Sequence, residues 1–160
     1  MIDNNFTQSF LNPRSVAIVG ASSNPQKTGA RVQRFLVSHG YKGKIYPVNP
    51  NREEIFGFKC YSKLINIPQK IDHVFIAVDG NKIIDAVRDA VSMNIKCATI
   101  LSGGFSESGS EGLNLEKQIL QIAKDGNLRI LGPNSIGIIN ISNSVILSAN
   151  AMLDLPNLKK

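Results

Sequence analysis

The residues with the clearest chemical potential form one loop, Gly20-Ala21-Ser22-Ser23-Asn24-Pro25-Gln26-Lys27-Thr28-Gly29, between an apolar run and a segment with helical spacing. Glycines at a strand-to-helix turn let backbone approach a phosphate, and the helix N-terminus directs its free N–H groups there. Ser22, Ser23 and Thr28 add hydroxyl donors, and Lys27 adds one mobile positive charge. Three phosphate-binding readings compete. A P-loop requires GxxxxGK[ST], but Gly20 and Gly29 are nine positions apart and Lys27-Thr28 precedes the second glycine. A dinucleotide fold requires GxGxxG and a carboxylate after the second strand for the ribose diol, where this chain has Ala21-Ser22-Ser23 and Val48-Asn49-Pro50. The third reading is a nucleotide with an extra phosphate, met by Lys27, Lys42, Lys44, Arg52 and Lys59 around the loop and the end of the second strand.

The elements that must position this loop follow from periodicity. Short apolar runs at Ser15–Val19, Lys44–Val48, His73–Val78, Cys97–Leu101 and Leu128–Leu131 predict strands. Helical spacing marks three segments: Val32, Phe35 and Leu36; Ile83, Ile84, Val87, Ala90 and Val91; and Leu115, Ile119, Ile122 and Ala123. Gly40, Asn94 and Gly126 stand where C-terminal caps belong, and the third helix is expected to start near Ser110-Glu111. Strands alternating with helices predict an α/β fold, a doubly wound, mostly parallel sheet of five or six strands with helices on both faces. Pro50, Gly57 and Pro68 make 49–72 a long loop, and Ile136 to Leu147 suggests a further strand or a hairpin closing the sheet.

The 160 residues fit one domain and leave no room for a second full one. Eighteen basic against twelve acidic residues give a net +6, suited to a phosphorylated small molecule. No clustered Lys/Arg run or aromatic RNA-binding motif supports nucleic acid as a partner. No apolar stretch is long enough for a membrane span, and the two cysteines have neither zinc-ligand spacing nor a disulfide framework, which predicts a cytoplasmic chain.

Six segments, in order, are similar to the coenzyme A-binding domain of NDP-forming acyl-CoA synthetases such as ADP-forming acetyl-CoA synthetase, relatives of the succinyl-CoA synthetase α subunit. They are Leu11-Asn12-Pro13-Arg14-Ser15-Val16-Ala17-Ile18-Val19-Gly20-Ala21-Ser22, Gly40-Tyr41-Lys42-Gly43-Lys44-Ile45-Tyr46-Pro47-Val48-Asn49-Pro50, Glu54-Ile55-Phe56-Gly57-Phe58-Lys59-Cys60-Tyr61, Ile67-Pro68, Ser102-Gly103-Gly104-Phe105-Ser106-Glu107 and Gly132-Pro133-Asn134-Ser135-Ile136-Gly137. The resemblance implies a Rossmann-like domain that binds coenzyme A or its thioester, an acyl-CoA, with the nucleotide end of the coenzyme on Gly20, Ala21, Ser22, Ser23, Lys27, Thr28 and Gly29. It puts adenine and ribose near Val48, Asn49 and Pro50, and runs the pantetheine arm past Ala77, Val78 and Asp79 towards Ser102, Gly103 and Gly104. The thiol then approaches the turn holding Asn134. The resemblance also implies ATP-grasp and phosphohistidine domains or subunits, in cis or in trans, so no catalytic residue is assigned to this chain and catalysis by it alone is not expected.

Two positions depart from that family's pattern: Asp79 stands where Pro is usual, and Ser135 where many members have Cys or Thr. A carboxylate beside phosphates repels them unless it faces a hydroxyl or amide. His39 and His73 read as cap or surface residues, Cys60 and Cys97 as small, partly buried ones, and Glu107 and Glu111 as favouring the start of the next helix. The expected organisation is an N-terminal extension at 1–9, a CoA-binding domain at 10–150 and a C-terminal tail at 151–160 that marks a domain boundary. An NAD(P)-binding oxidoreductase domain and a non-catalytic module sensing coenzyme A or nucleotide remain the alternatives.

Overall fold

The computed structural model describes residues 4–154. Helix α1 (Asn4–Leu11) leads into β1 (Ser15–Val19), α2 (Thr28–Ser38) and β2 (Lys44–Val48). The long connection holds the short strands β3 (Glu54–Ile55) and β4 (Phe58–Lys59) and a 3-10 turn at Leu64–Asn66 before β5 (His73–Ile76). Then follow α3 (Asn81–Ser92), β6 (Cys97–Ile100), α4 (Ser110–Asp125), β7 (Arg129–Leu131), β8 (Gly137–Asn140), β9 (Val145–Ser148) and a 3-10 turn at Ala151–Asp154.

The main sheet has the order β2-β1-β5-β6-β7, and all four pairings are parallel. This is the doubly wound α/β, Rossmann-like fold expected from the sequence. The strand order reverses between β1 and β5, so their carboxyl ends diverge and open a crevice. Alternation within each apolar strand divides the core into two layers. Ala17, Val74, Ile76, Ala98 and Ile100 pack under α3 and α4, while Val16, Ile18 and Phe75 pack under α2. The helices end as their sequences dictate: Gly40 (φ +78°) and Asn94 (φ +56°) supply the left-handed residue after α2 and α3. After α4 that role falls to Asn127 (φ +53°), one position beyond the expected Gly126.

The expected hairpin forms from β8 and β9, but it does not close the sheet. It lies on the α2 face as a separate two-stranded unit, where Val145 and Leu147 join the layer of Phe75 and Leu36. Full burial of one such side chain contributes about 1.5–3 kcal/mol, which is enough to favour this packing over an exposed sheet edge. The chain leaving the hairpin is clamped to α2: Arg31 donates to the Ala149 carbonyl at 3.0 Å, and Arg34 pairs with Asp154 at 3.1 Å. Asp154, within the expected tail at 151–160, is thus held against α2, and residues 155–160 lie outside the described residues. Among the described residues no helix is long and apolar enough to cross a membrane.

Helix α1 and the placement of His73 were not anticipated. His73 is fully buried, 5.5 Å from the Phe10 ring, with Nε2 2.9 Å from Thr99 Oγ1. It is a core residue rather than a cap or surface one, because α1 covers the strand starts that a bare sheet would expose. Burial holds its imidazole down at about 4 against a smaller opposing effect of the Ser9 backbone. Below the ordinary value of 6.5 the unfolded chain gains a proton that the folded chain refuses. Stability is therefore complete above pH 6.5 and falls as the pH drops towards 4, by a total on the order of 3 kcal/mol. Urea unfolding between pH 7 and 4 is expected to show this slope, and His73→Gln is expected to flatten it.

Candidate functional site

The crevice at the strand reversal is a cleft of about 1190 Å³. One wall is the glycine loop, with Gly20, Ala21, Ser22, Lys27, Thr28 and Gly29. Gly20 has φ +88°, and a Cβ there would lie 2.5 Å from the Ala77 carbonyl oxygen, so β1 turns where only glycine fits beside β5. A Cβ at Gly29 would collide with the Gly20 carbonyl, so a second glycine seats the first turn of α2 directly on the loop.

The loop's donors are unequally available. The N–H groups of Gly20 and Ala21 both donate to the Val48 carbonyl, at 3.1 and 3.2 Å, and Ser22 Oγ accepts from the Asn24 N–H. Thr28 and Gly29 open α2, so their N–H groups have no partner within the helix, and Lys27 in the cap position makes no side-chain cap. The anion-attracting part of the loop is therefore its helical end. Ser23 is exposed and does not line the cleft.

Val48, Asn49 and Pro50 form the next part of the wall. Asn49 stands where a dinucleotide fold would carry its ribose carboxylate. Its amide donates to the Ala21 carbonyl at 2.8 Å, and its Oδ1 accepts from the Asn51 N–H at 2.9 Å. It therefore ties the exit of β2 to the glycine loop. Opposite, Ala77, Val78 and Asp79 continue from β5, with Asp79 exposed at the rim.

The cleft brings in residues that sequence reasoning missed: Lys63, Leu64 and Ile65 before and within the 3-10 turn, and Lys82, Asp85, Arg88 and Asp89 of α3. A signal existed in the polar stripe Lys82-Asp85-Asp89 beginning just after Asp79-Gly80, but such stripes ordinarily face solvent. Four of the expected cations are elsewhere. Lys42 and Lys44 precede and open β2, at the amino ends of parallel strands, opposite the cleft. Lys59 sits 5.4 Å over the Tyr61 ring, and Arg52 is exposed and outside the lining.

Ser102, Gly103, Gly104 and Asn134 do not line this cleft but form an adjoining rim. Ser102 Oγ donates to the Val78 carbonyl at 2.7 Å, and the Asn134 N–H donates to the Ser102 carbonyl at 3.0 Å. Glu107 Oε1 accepts from the Gly104 N–H at 2.7 Å, and the N–H groups of Glu107 itself, Gly104 and Phe105 hold its carboxyl below the usual range. Gly104 also borders a smaller cleft of about 450 Å³ between α3 and α4, beside Glu111.

The chain matches the CoA binding domain family over residues 14–141. It belongs to that family. Its CoA-binding domain is 41% identical over 136 residues to the ADP-forming acetate–CoA ligase II of Archaeoglobus fulgidus, covering 85% of this chain and 20% of that one. It is 37% identical to the α subunit of the ADP-forming acetate–CoA ligase I of Pyrococcus furiosus, covering 82% and 29%. A solved acetyl-coenzyme A synthetase 1 from Candidatus Korarchaeum cryptofilum superposes with a TM-score of 0.87 at 34% identity, over 94% of this chain and 32% of that one. The chain thus spans between a fifth and a third of these relatives. They are acid–CoA ligases, and the oxidoreductase alternative gains no support from them.

The seating of Gly29 on Gly20 makes the CoA-binding domain sensitive at one methyl. Gly29→Ala is expected to shift the loop or the helix start and to lower unfolding stability by about 1–3 kcal/mol in denaturant titrations. Gly40→Ala, with open space around its Cβ, tests the contrast and is expected to cost only its left-handed strain, about 1 kcal/mol.

Proposed function

We propose that the cleft binds coenzyme A as the thiol substrate of an NDP-forming acid–CoA ligase, with its phosphates at the helical end of the glycine loop. What carries this reading is the uncapped start of α2, with Lys27, Thr28 and Gly29 directed into a cleft at the strand reversal of a CoA-binding domain. The sugar and base then follow the exit of β2 along Val48, Asn49 and Pro50. The pantetheine arm leaves past Ala77, Val78 and Asp79, where the Asp79 carboxylate accepts from an amide N–H of the arm rather than opposing a phosphate. Ser102, Gly103 and Gly104 guide it to the turn at Asn134.

The thiol delivered there, as thiolate, attacks the carbonyl carbon of an acyl phosphate, forming the thioester and releasing phosphate. Making that acyl phosphate requires a phosphohistidine domain and an ATP-grasp domain, in cis or in trans, and the greater length of the relatives supports such partners. We assign residues 10–150 to the CoA-binding unit and place the chain in the cytoplasm, in keeping with two free, buried cysteines.

Thermal unfolding with ligand tests the reading. Coenzyme A at a hundred times its dissociation constant is expected to stabilise the folded chain by about 2.7 kcal/mol, more than ADP at the same concentration. A shift with NAD and none with coenzyme A overturns it. Lys27→Ala removes a charge-assisted contact at an exposed position, and a roughly tenfold, salt-dependent loss of coenzyme A affinity is expected in calorimetry.

A further inference from the structure

The part of the cleft between the exit of β2 and α3 differs chemically from the glycine loop. Val48, Leu64 and Ala86 are buried members of one core cluster and form an apolar floor where they line the cleft between the exit of β2 and α3. This apolar floor suits a flat ring better than it suits a phosphate or a sugar. A nucleotide held by its phosphates at the start of α2 and extending along β2 places its base there.

One carboxylate is positioned beside that floor. Asp89 lies one turn beyond Ala86 on the cleft-facing side of α3 and is half-buried, whereas Asp79 and Asp85, the other cleft carboxylates, are exposed. Asp85 has Arg88 at 3.9 Å. The Asp89 carboxylate accepts no hydrogen bond and has no ion pair within 4.0 Å among the described residues, while its backbone carbonyl accepts from Ser92 Oγ at 2.8 Å and from the Met93 N–H at 3.0 Å, and Lys63 faces the carboxylate only at longer range. Burial raises its carboxyl from the ordinary value while Lys63 opposes the rise. A half-buried acceptor without a donor, beside an apolar floor, is completed by a ligand that is flat and carries an N–H.

We infer that Asp89 is a specificity residue of the coenzyme A site, its carboxylate accepting a hydrogen bond from the 6-amino group of the adenine seated on Val48, Leu64 and Ala86. This inference rests on the reading of the cleft as a coenzyme A site and adds which group selects the base. The 6-amino group is the only hydrogen-bond donor on the ring system of adenine, so a carboxylate at its edge discriminates by that group alone.

Calorimetric titration of the whole chain with coenzyme A, and with the analogue carrying unsubstituted purine in place of adenine, tests the inference. The wild type is expected to bind coenzyme A at least tenfold more tightly than the purine analogue, the size of one charge-assisted hydrogen bond. Asp89→Ala is expected to bind both equally, at about the wild type's affinity for the analogue. Asp89→Asn, which preserves the shape of the side chain, is expected to narrow the difference, and it decides the matter where the alanine variant does not fold. Equal binding of the two ligands by the wild type, or undiminished discrimination in the variants, overturns the role of Asp89 while leaving the coenzyme A site standing. A wild type that binds neither ligand overturns both.

Discussion

The contact on which the rest of the site depends is between two glycines. The carbonyl of Gly20, at the end of β1, occupies the space that a side chain on Gly29 would need, and Gly20 itself turns with φ +88° against the Ala77 carbonyl. No larger residue lets the end of one strand, the start of the next strand's loop and the first turn of a helix approach so closely. Because they do, the free N–H groups of α2 reach the strand reversal. The Val48 carbonyl and the Asn49 side chain then hold the loop from the other side, so the anion-attracting end is fixed before any ligand arrives.

The two faces of the sheet support this edge in different ways. Helices α3 and α4 cover one face conventionally, and α3 also forms a wall of the cleft. On the other face α2 has no helical neighbour from the alternating pattern, and α1 and the hairpin β8–β9 cover the area it leaves. His73 shows the consequence. At an uncovered strand start it would be a wet, titrating imidazole, whereas beneath Phe10 it stays neutral and bonded to Thr99. The clamp of Arg31 and Arg34 on Ala149 and Asp154 fixes the segment after the hairpin to the same helix that begins at the glycine loop.

Most of the sheet was legible because its strands are short apolar runs bounded by breakers, and a buried parallel strand has few other ways to appear. The glycine loop was legible because two glycines and a lysine at a strand-to-helix turn constrain local geometry. The cationic surround was not. Lys42 and Lys44 lie only a few residues before the site-lining Val48, yet a five-residue strand carries the chain across the sheet, roughly 16 Å at ~3.3 Å per residue, and leaves them at its opposite end. Lys63 and Lys82 enter the cleft from separate elements. Their arrival depends on how the loop after β2 folds back against α3.

The sequence by itself determined the order of elements, the division of apolar residues between strands and helices, and the loop at which a phosphate can be held. Those are local properties, set by side-chain period and by the conformations that glycine permits within about ten residues. Tertiary structure alone decided which face the hairpin covers, that His73 is buried, and that Asp89 stands unpartnered beside an apolar floor. Each of these depends on contacts between residues far apart in the chain, whose energies have no signature in either segment until the two meet.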